Sequence, residues 1–335
     1  METTKSTAIA NSNIAVIKYW GKRDDKLNLP TNNSISFTMD DQLQTITTVE
    51  FDESLRQDEL KLNDHHATSK ETERVSSFLD IVRKMAKTRT CAKVVSKNSF
   101  PKSAGLASSA SGFAALAGAA SRAAGLNLSL RELSILARYG SGSASRSIFG
   151  GAVEWLAGKK KNGSDSYSVQ LSPSEKWTHL RNVIAVVSES EKKISSVEGM
   201  RRLKSSSLFK SRLESVGKRL NTVRNAIKFG KFEDAAIPIM QDSDNMHAVM
   251  LDCWPPVRYL TDISFEIIEK VLELNESHGK TIAAYTFDAG PNAHVYTTEK
   301  YAHEVERMLK YTDGVLRTLN CRIGNGIQFT DRGLF

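Results

Sequence analysis

Residues 101–120 read "PKSAGLASSASGFAALAGAA". A proline and a glycine lead in, serines crowd the first turn, and alanines follow with almost nothing bulky. The stretch predicts a helix that runs until Gly125 stops it. The first N–H groups of any helix lack internal partners, and the aligned peptide dipoles add positive potential there. Gly105 lets the backbone approach a ligand closely, and Ser108 and Ser109 offer hydroxyls. Two readings fit these residues: a phosphate cradle, or close helix packing, which small residues also permit. A Walker loop is excluded, because GxxxxGK[ST] occurs nowhere in the chain. The run "GSGSAS" at 140–145 fails the last position of GxGxxG.

The neighbouring segments predict an α+β chain. Before the quoted stretch, "NIAVIKYW" is an apolar run, "SISFTM" alternates, and "QTITTVEF" is β-branched, so the first 60 or so residues read as strands. A helical period covers 68–88, with the strand-like "CAKVVSKNS" after it. "SLRELSILARYG" opens with a capping box, Ser129 and Glu132. "GSGSASRSIFGG" reads as a polar loop or short helix, and "GKKKNG" (158–163) as a hairpin tip. The strand "NVIAVVS" (182–188) follows, then a helical zone over 196–250 whose basic start, 200–220, reads as a helix with a solvated face. "DISFEIIEKVLELNESHG" is a further helix, and "IAAYTFDAG" and "NAHVYTT" are strands joined across Gly290-Pro291. A helix at 299–312 and the strand-like "GIQFTD" end the pattern. Antiparallel strands with helices segregated to one side fit this order better than strict βαβ alternation, with a lobe boundary near residue 180.

Composition bounds the function. The chain has 335 residues, 40% hydrophobic and 25% charged, which suits a globular protein with a sizeable core. No apolar run approaches the roughly 18 residues that span a bilayer. The start, "METTKSTAIANSN", carries no hydrophobic signal segment, so the cytoplasm is the expected place. Cys91, Cys253 and Cys321 lie far apart without metal spacing and read as reduced, packed thiols. A net charge of +8 and a pI near 9.2 suit either a nucleic-acid surface or an enzyme for anionic substrates. The basic residues are dispersed and not interleaved with aromatics, which favours the enzyme.

Three further constellations carry chemistry. In "NSNIAVIKYWGKRD" (11–24) Asn13 and Lys18 bracket a buried strand, with Tyr19 and Lys22 beyond it: a set for a phosphorylated ligand, or merely solvated strand ends. In "GSGSASR" (140–146) Ser143 and Arg146 are three apart and share a face of any helical turn, where arginine can take a carboxylate or phosphate bidentately. In "YTFDAGPN" (285–292) Asp288 ends an apolar strand as either a turn cap or an acid/base. His247 reads as a structural histidine, with a catalytic base as the alternative. Trp20 and Trp155 read as lobe packing.

Taken together, these blocks resemble the GHMP kinase superfamily, and within it the mevalonate diphosphate decarboxylases. The matching text is "NIAVIKYWGKRD", "LPTNNSISFTMD", "GLASSASGFAALA", "ARYGSGSASRSIFGGAVEW", "KKISSVEGM", "HAVMLDCWPPVRY" and "YTFDAGPNAHVY", spread over nearly the whole chain. The resemblance implies a two-lobed fold around one cleft: a ribosomal protein S5 domain 2-like lobe over 1–180 and a ferredoxin-like lobe over 181–335. It implies ATP and Mg2+, and mevalonate 5-diphosphate phosphorylated at its 3-hydroxyl before phosphate and CO2 leave. It further implies a cytoplasmic homodimer in isoprenoid biosynthesis, without nucleic-acid or membrane partners.

Residue by residue, the resemblance makes Asp288 the catalytic carboxylate, Lys18 its partner, and Arg146 with Asn13 the grip on the C1 carboxylate. Tyr19, Lys22, Ser143 and Ser196 match diphosphate positions, and Ser141 lies beside the reacting end. Gly105, Leu106, Ala107, Ser108 and Ser109 match the ATP phosphate loop, and Lys192 a nucleotide-side lysine. No metal ligand is assigned; Mg2+ is expected through the ATP phosphates, with Ser108 or Ser109 nearby. Four positions depart from the family pattern. Lys102-Ser103 replace Thr-Ala, Ser145 replaces a cysteine, Asp244 replaces an asparagine, and Val197 stands where some bacterial members carry an arginine. The alternatives are a mevalonate 5-phosphate decarboxylase, a mevalonate 3-kinase and, from another class, a basic nucleic-acid-binding protein.

Overall fold

A computed structural model describes residues 4–100, 108–190 and 193–335. Strand β1 (Lys5–Asn11) runs into β2 (Asn13–Ile17), and a short hairpin, β3 (Lys22–Asp24) with β4 (Leu29–Pro30), leads to β5 (Ser34–Thr38) and β6 (Gln44–Phe51). Strands β7 (Glu59–Leu62) and β8 (His65–His66) form a second small hairpin. Its turn residues, Asn63 and Asp64, both have positive φ, 49° and 67°. That is the backbone a two-residue hairpin turn requires and that Asn and Asp tolerate. Helix α1 (Ser69–Ala86) is capped reciprocally by Thr68 and Glu71 and precedes β9 (Ala92–Asn98).

Helix α2 (Ser108–Ala123) begins inside the serine-rich stretch and ends before Gly125 at φ 73°. Its alanines lie flat on the six-stranded sheet β16-β1-β6-β9-β7-β8 named by its neighbours in space, closing with β16 (Gln328–Thr330). Ala8 and Ala10 of the sheet face Ala114, Ala117 and their neighbours in one core, so small side chains on both surfaces let the backbones approach. Ser111 is buried there without penalty, because Ser12 (3.2 Å) and Thr45 (2.7 Å) donate to its Oγ. Helix α3 (Leu130–Gly140) has the Ser129–Glu132 capping box. A 3₁₀ turn, Gly142–Ile148, resolves the "loop or short helix" reading. Strands β10 (Ala152–Trp155) and β11 (Ser168–Ser172) flank the lysine-rich tip and join β5 and β2 in a second sheet.

Strand β12 (Leu180–Val186) opens the second half. The 196–250 zone is three helices, α4 (Ser196–Arg202), α5 (Phe209–Phe229) and α6 (Phe232–Leu251), the last two separated by Gly230 at φ 67°. Helix α7 (Asp262–Ser277), β13 (Ala283–Phe287), β14 (Ala293–Thr298), α8 (Glu299–Lys310) and β15 (Arg317–Arg322) complete it. The sheet β13-β14-β12-β15 is antiparallel throughout, as the α+β expectation requires. Ile14, Ile17, Ile35 and Phe37 of the second sheet share one apolar core with Val183, Ile184, Phe287 and Val295 of the third. This shared core fixes β2 against the end of β13. The solvated-face reading of 200–220 fails at Arg212, which is fully buried in an ion pair with Asp242. All three cysteines are free.

The chain's last segment crosses beneath the 3₁₀ turn at van der Waals limit. A Cβ added at Gly150 would meet the Gly326 nitrogen at 2.5 Å and Asn325 backbone at 2.8 Å. Gly150→Ala therefore forces backbone apart and lowers unfolding free energy by about 1–3 kcal/mol, measurable by urea denaturation. An unchanged midpoint would contradict this packing.

Candidate active site

The end of β2 and the end of β13 deliver opposite charges to one point. Lys18 Nζ donates to Asp288 Oδ1 at 2.7 Å, with the lysine 2% and the aspartate 28% exposed. Burial pushes the Lys18 pKa down, and the neighbouring Asp288 and Asp242 charges pull it partly back, leaving it below the ordinary lysine value.

The 3₁₀ turn brings Arg146 to the same place. Its Nε donates to Asn13 Oδ1 (2.9 Å) and Ser36 Oγ (3.0 Å), and Nη1 donates to Ser34 Oγ (2.7 Å). Asn13 is itself oriented by donating to Ser147 Oγ (2.8 Å) and the Ser143 carbonyl (3.0 Å). Arg146 thus has neutral partners, and Nη2 makes no hydrogen bond among the described residues. Burial lowers its pKa to about 10. A buried guanidinium with an open donor edge is a site for an anion.

These groups line a cavity of about 520 Å³. Of the residues the sequence points to, Asn13, Lys18, Tyr19, Lys22, Ser108, Ser109, Ser141, Ser143, Arg146, Ser196 and Asp288 all line it. Gly105, Leu106, Ala107 and Lys192 lie outside the described residues, as do Lys102 and Ser103. The Tyr19 ring packs edge-on against Trp155 at 4.7 Å, and its buried hydroxyl has no partner among the described residues. Burial raises that phenol's pKa, so it remains a donor. Lys22 Nζ donates to Asn28 Oδ1 at 2.6 Å. Burial lowers the Lys22 pKa, and the charges of Arg201 and Arg74 lower it further against the pull of Asp25. Ser109 and Ser141 hydroxyls are 3.4 Å apart, and Ser141 and Ser143 3.3 Å, forming a hydroxyl row along one wall. Val197 also lines the cavity.

Sequence reading missed Arg74. It donates to the Gly140 carbonyl at 3.1 Å, stacks on Phe113, and lines both this cavity and a second one of about 200 Å³. The second cavity runs from Ser108 and Ser109 over Gly112 and Phe113 to Leu60, Leu62 and Ser96. It is largely apolar and continuous with the serine-rich helix start. Trp155 is buried against Tyr19, while Trp20 bonds to Met250 and packs with Tyr259. His247 is buried, its Nε2 has no partner, and its ring packs edge-on to Tyr259 and Phe287.

A lysine–carboxylate pair at the meeting of the second and third sheets, and an apolar pocket leading to a serine-rich helix start, are the arrangement expected of a GHMP-type phosphoryl-transfer enzyme. Residues 10–168 match the diphosphomevalonate decarboxylase-like N-terminal domain, and 182–322 the mevalonate 5-diphosphate decarboxylase C-terminal domain. The diphosphomevalonate decarboxylase of Schizosaccharomyces pombe is 44% identical over 309 residues, covering 88% of this chain and 79% of its own. That of Candida albicans is 41% identical, covering 98% of this chain and 99% of its own. The Staphylococcus aureus mevalonate diphosphate decarboxylase structure superposes with a TM-score of 0.92 at 36% identity, covering 98% of both chains. A related structure that holds MVAPP, AMPPCP and magnesium gives a TM-score of 0.90 at 37% identity, covering 98% of this chain and 99% of its own. The chain belongs to the diphosphomevalonate decarboxylase family.

The buried imidazole has a stability consequence. Burial, with the Lys18 charge nearby, lowers the His247 pKa to about 3. The unfolded chain binds a proton near pH 6.5 that the folded chain refuses, so this group's contribution is complete above 6.5 and is lost as pH falls. Between about pH 7.5 and 5.5 it withdraws about 1.4 kcal/mol. Urea unfolding at both pH values should show that loss diminished in His247→Gln; equal losses in the two proteins would contradict a neutral buried His247.

Proposed function

We propose that the chain catalyses ATP-dependent decarboxylation of mevalonate 5-diphosphate to isopentenyl diphosphate, releasing ADP, phosphate and CO2. The observation that carries this reading is the 2.7 Å Lys18–Asp288 pair in a cavity that also holds Arg146 with its open donor edge. Asp288 faces the substrate's 3-hydroxyl and accepts its proton as the γ-phosphoryl group is transferred. Lys18 keeps that carboxylate ionised and counters charge on the transferring group. Arg146, aimed by Asn13, binds the C1 carboxylate. When the 3-phosphate leaves, the C1–C2 bond breaks, CO2 departs, and the released electron pair closes the C2–C3 double bond. The proton taken by Asp288 passes to the departing phosphate, and the carboxylate so restored offsets the positive charge that develops at C3.

The unpartnered Tyr19 hydroxyl, Lys22, Ser143 and Ser196 bind the 5-diphosphate. Arg74 lines the same cavity as Lys22, and the Arg201 charge lies close enough to depress the Lys22 pKa, so positive charge gathers at that end. This charge supports a diphosphate in spite of Val197. The nucleotide occupies the second cavity, its phosphates reaching Ser108 and Ser109. The hydroxyls of Ser108 and Ser109, which line both cavities, suit Mg2+ carried in on the triphosphate. Mg2+ bound in that way neutralises phosphate charge during transfer.

The same reading takes the enzyme as a cytoplasmic homodimer of two lobes meeting near residue 180. No helix among the described residues is long and apolar enough to cross a membrane.

With ATP and Mg2+, mevalonate 5-diphosphate should yield ADP and CO2 in equal amounts. ADP without CO2 would sink the decarboxylase reading, and turnover of mevalonate 5-phosphate alone would sink the substrate. Asp288→Asn should abolish both products. Arg146→Lys loses the planar donor pair, and kcat/KM should fall by about 10- to 100-fold. A value within twofold of the parent would remove Arg146 from the carboxylate grip.

A further inference from the structure

Helix α6 packs against both β2 and β13, and two adjacent residues on it grip the backbone at each half of the reacting pair. The Lys18 N–H donates to Asp242 Oδ2 at 2.6 Å. The N–H of Phe287, the residue before Asp288, donates to Ser243 Oγ at 3.0 Å. Both α6 side chains are fully buried, and neither lines the cavity. Asp242 cannot turn away. Arg212 donates to its Oδ1 at 3.2 Å and Oδ2 at 3.3 Å, and Arg219 Nε to Oδ1 at 3.1 Å. Both arginines are held in turn by Asn245 Oδ1, at 2.8 and 3.1 Å. The Lys18 carbonyl accepts from Asn32 Nδ2 at 3.1 Å, so its peptide is fixed on both sides.

We propose that Asp242 and Ser243 are positioning residues: side by side on one helix, they set the distance between Lys18 and Asp288, which different lobes supply. The proposal rests on those two being the reacting pair. Ser243 acts through geometry alone. Asp242 acts through geometry and charge, because Lys18 is faced by Asp288 from the turn after β13, Asp242 and His247 from α6, and Arg146 from the 3₁₀ turn. The carboxylates hold the proton on Lys18, and Arg146 with burial works against them. Asp242→Asn keeps an oxygen for the Lys18 N–H but removes one of the two negative charges, so Lys18 loses its proton at lower pH. Ser243→Ala leaves every charge in place.

The test compares the parent protein with Asp242→Asn, Ser243→Ala and Ser243→Thr, each normalised to its folded fraction. Two readouts are taken across pH: ADP and CO2 release with ATP, Mg2+ and mevalonate 5-diphosphate, and the NMR titration of the Lys18 side chain. Ser243→Ala should lose about 10- to 100-fold in kcat, as a misplacement near 1 Å does. Its KM and alkaline limb should be unchanged, and Ser243→Thr should restore the rate. Asp242→Asn should lose kcat and move both the alkaline limb and the Lys18 titration to lower pH. Parent-like kcat in folded Ser243→Ala, or a Lys18 titration unmoved in Asp242→Asn, would overturn the proposal. If Asp242→Asn fails to fold because two buried arginines lose their counter-charge, the Ser243 pair decides it. If the parent shows no turnover, the reading of the reaction fails, and the Lys18 titration still decides the role of Asp242.

Discussion

A buried lysine whose ammonium is ion-paired with the Asp288 carboxylate is the constraint on which the rest of this structure depends. Lys18 is almost completely out of water, and an uncompensated ammonium there would shed its proton. Asp288 keeps it charged, but only at hydrogen-bond distance. Because the two come from β2 and from the turn after β13, the lobes cannot shift relative to one another without stranding a charge. The apolar core that the second and third sheets share brings the two strands into that range.

The surrounding elements serve the same geometry at increasing range. Strand β5 supplies Ser34 to Nη1 and Ser36 to Nε of Arg146, and Asn13 shares that Nε, so one guanidinium is aimed by three neutral groups. Small residues in α2 and β1 let the serine-rich helix start sit against the sheet, close to the row Ser109, Ser141 and Ser143. Neutral partners matter here. A carboxylate on Arg146 would satisfy the site internally, whereas hydroxyls and an amide orient it and leave its charge for a ligand.

Much of this was legible in the sequence because it is local. The Ser129–Glu132 box, the period of 68–88 and the alternation of "SISFTM" each specify an element from neighbouring residues, and the structure has all three. The site residues were legible as four short blocks whose resemblance to one family ordered them. What escaped reading depends on contacts between distant segments. Arg74 looked like one more charge on an amphipathic helix, and only the fold turns it toward Gly140 and two cavities. Arg212 sat in a basic run that reads as solvated, yet it neutralises Asp242 thirty residues on. Strand β15, "RTLNCR", has too few apolar residues to announce itself, since it is held by β12 and not by its own pattern. The β7–β8 hairpin did carry a signal, Asn63-Asp64, that was passed over.

Of the two readings of the serine-rich helix, the described part shows the close packing. Its alanines pack, and Ser108 and Ser109 face both cavities. The central claim is that Lys18 and Asp288 act as one unit, and a double-mutant cycle on kcat tests it most directly. Lys18→Met, Asp288→Asn and the double variant would be compared in the coupled release of ADP and CO2. The account predicts that the double variant is no slower than the worse single one, because either change already destroys the pair. Losses that multiply independently would contradict it.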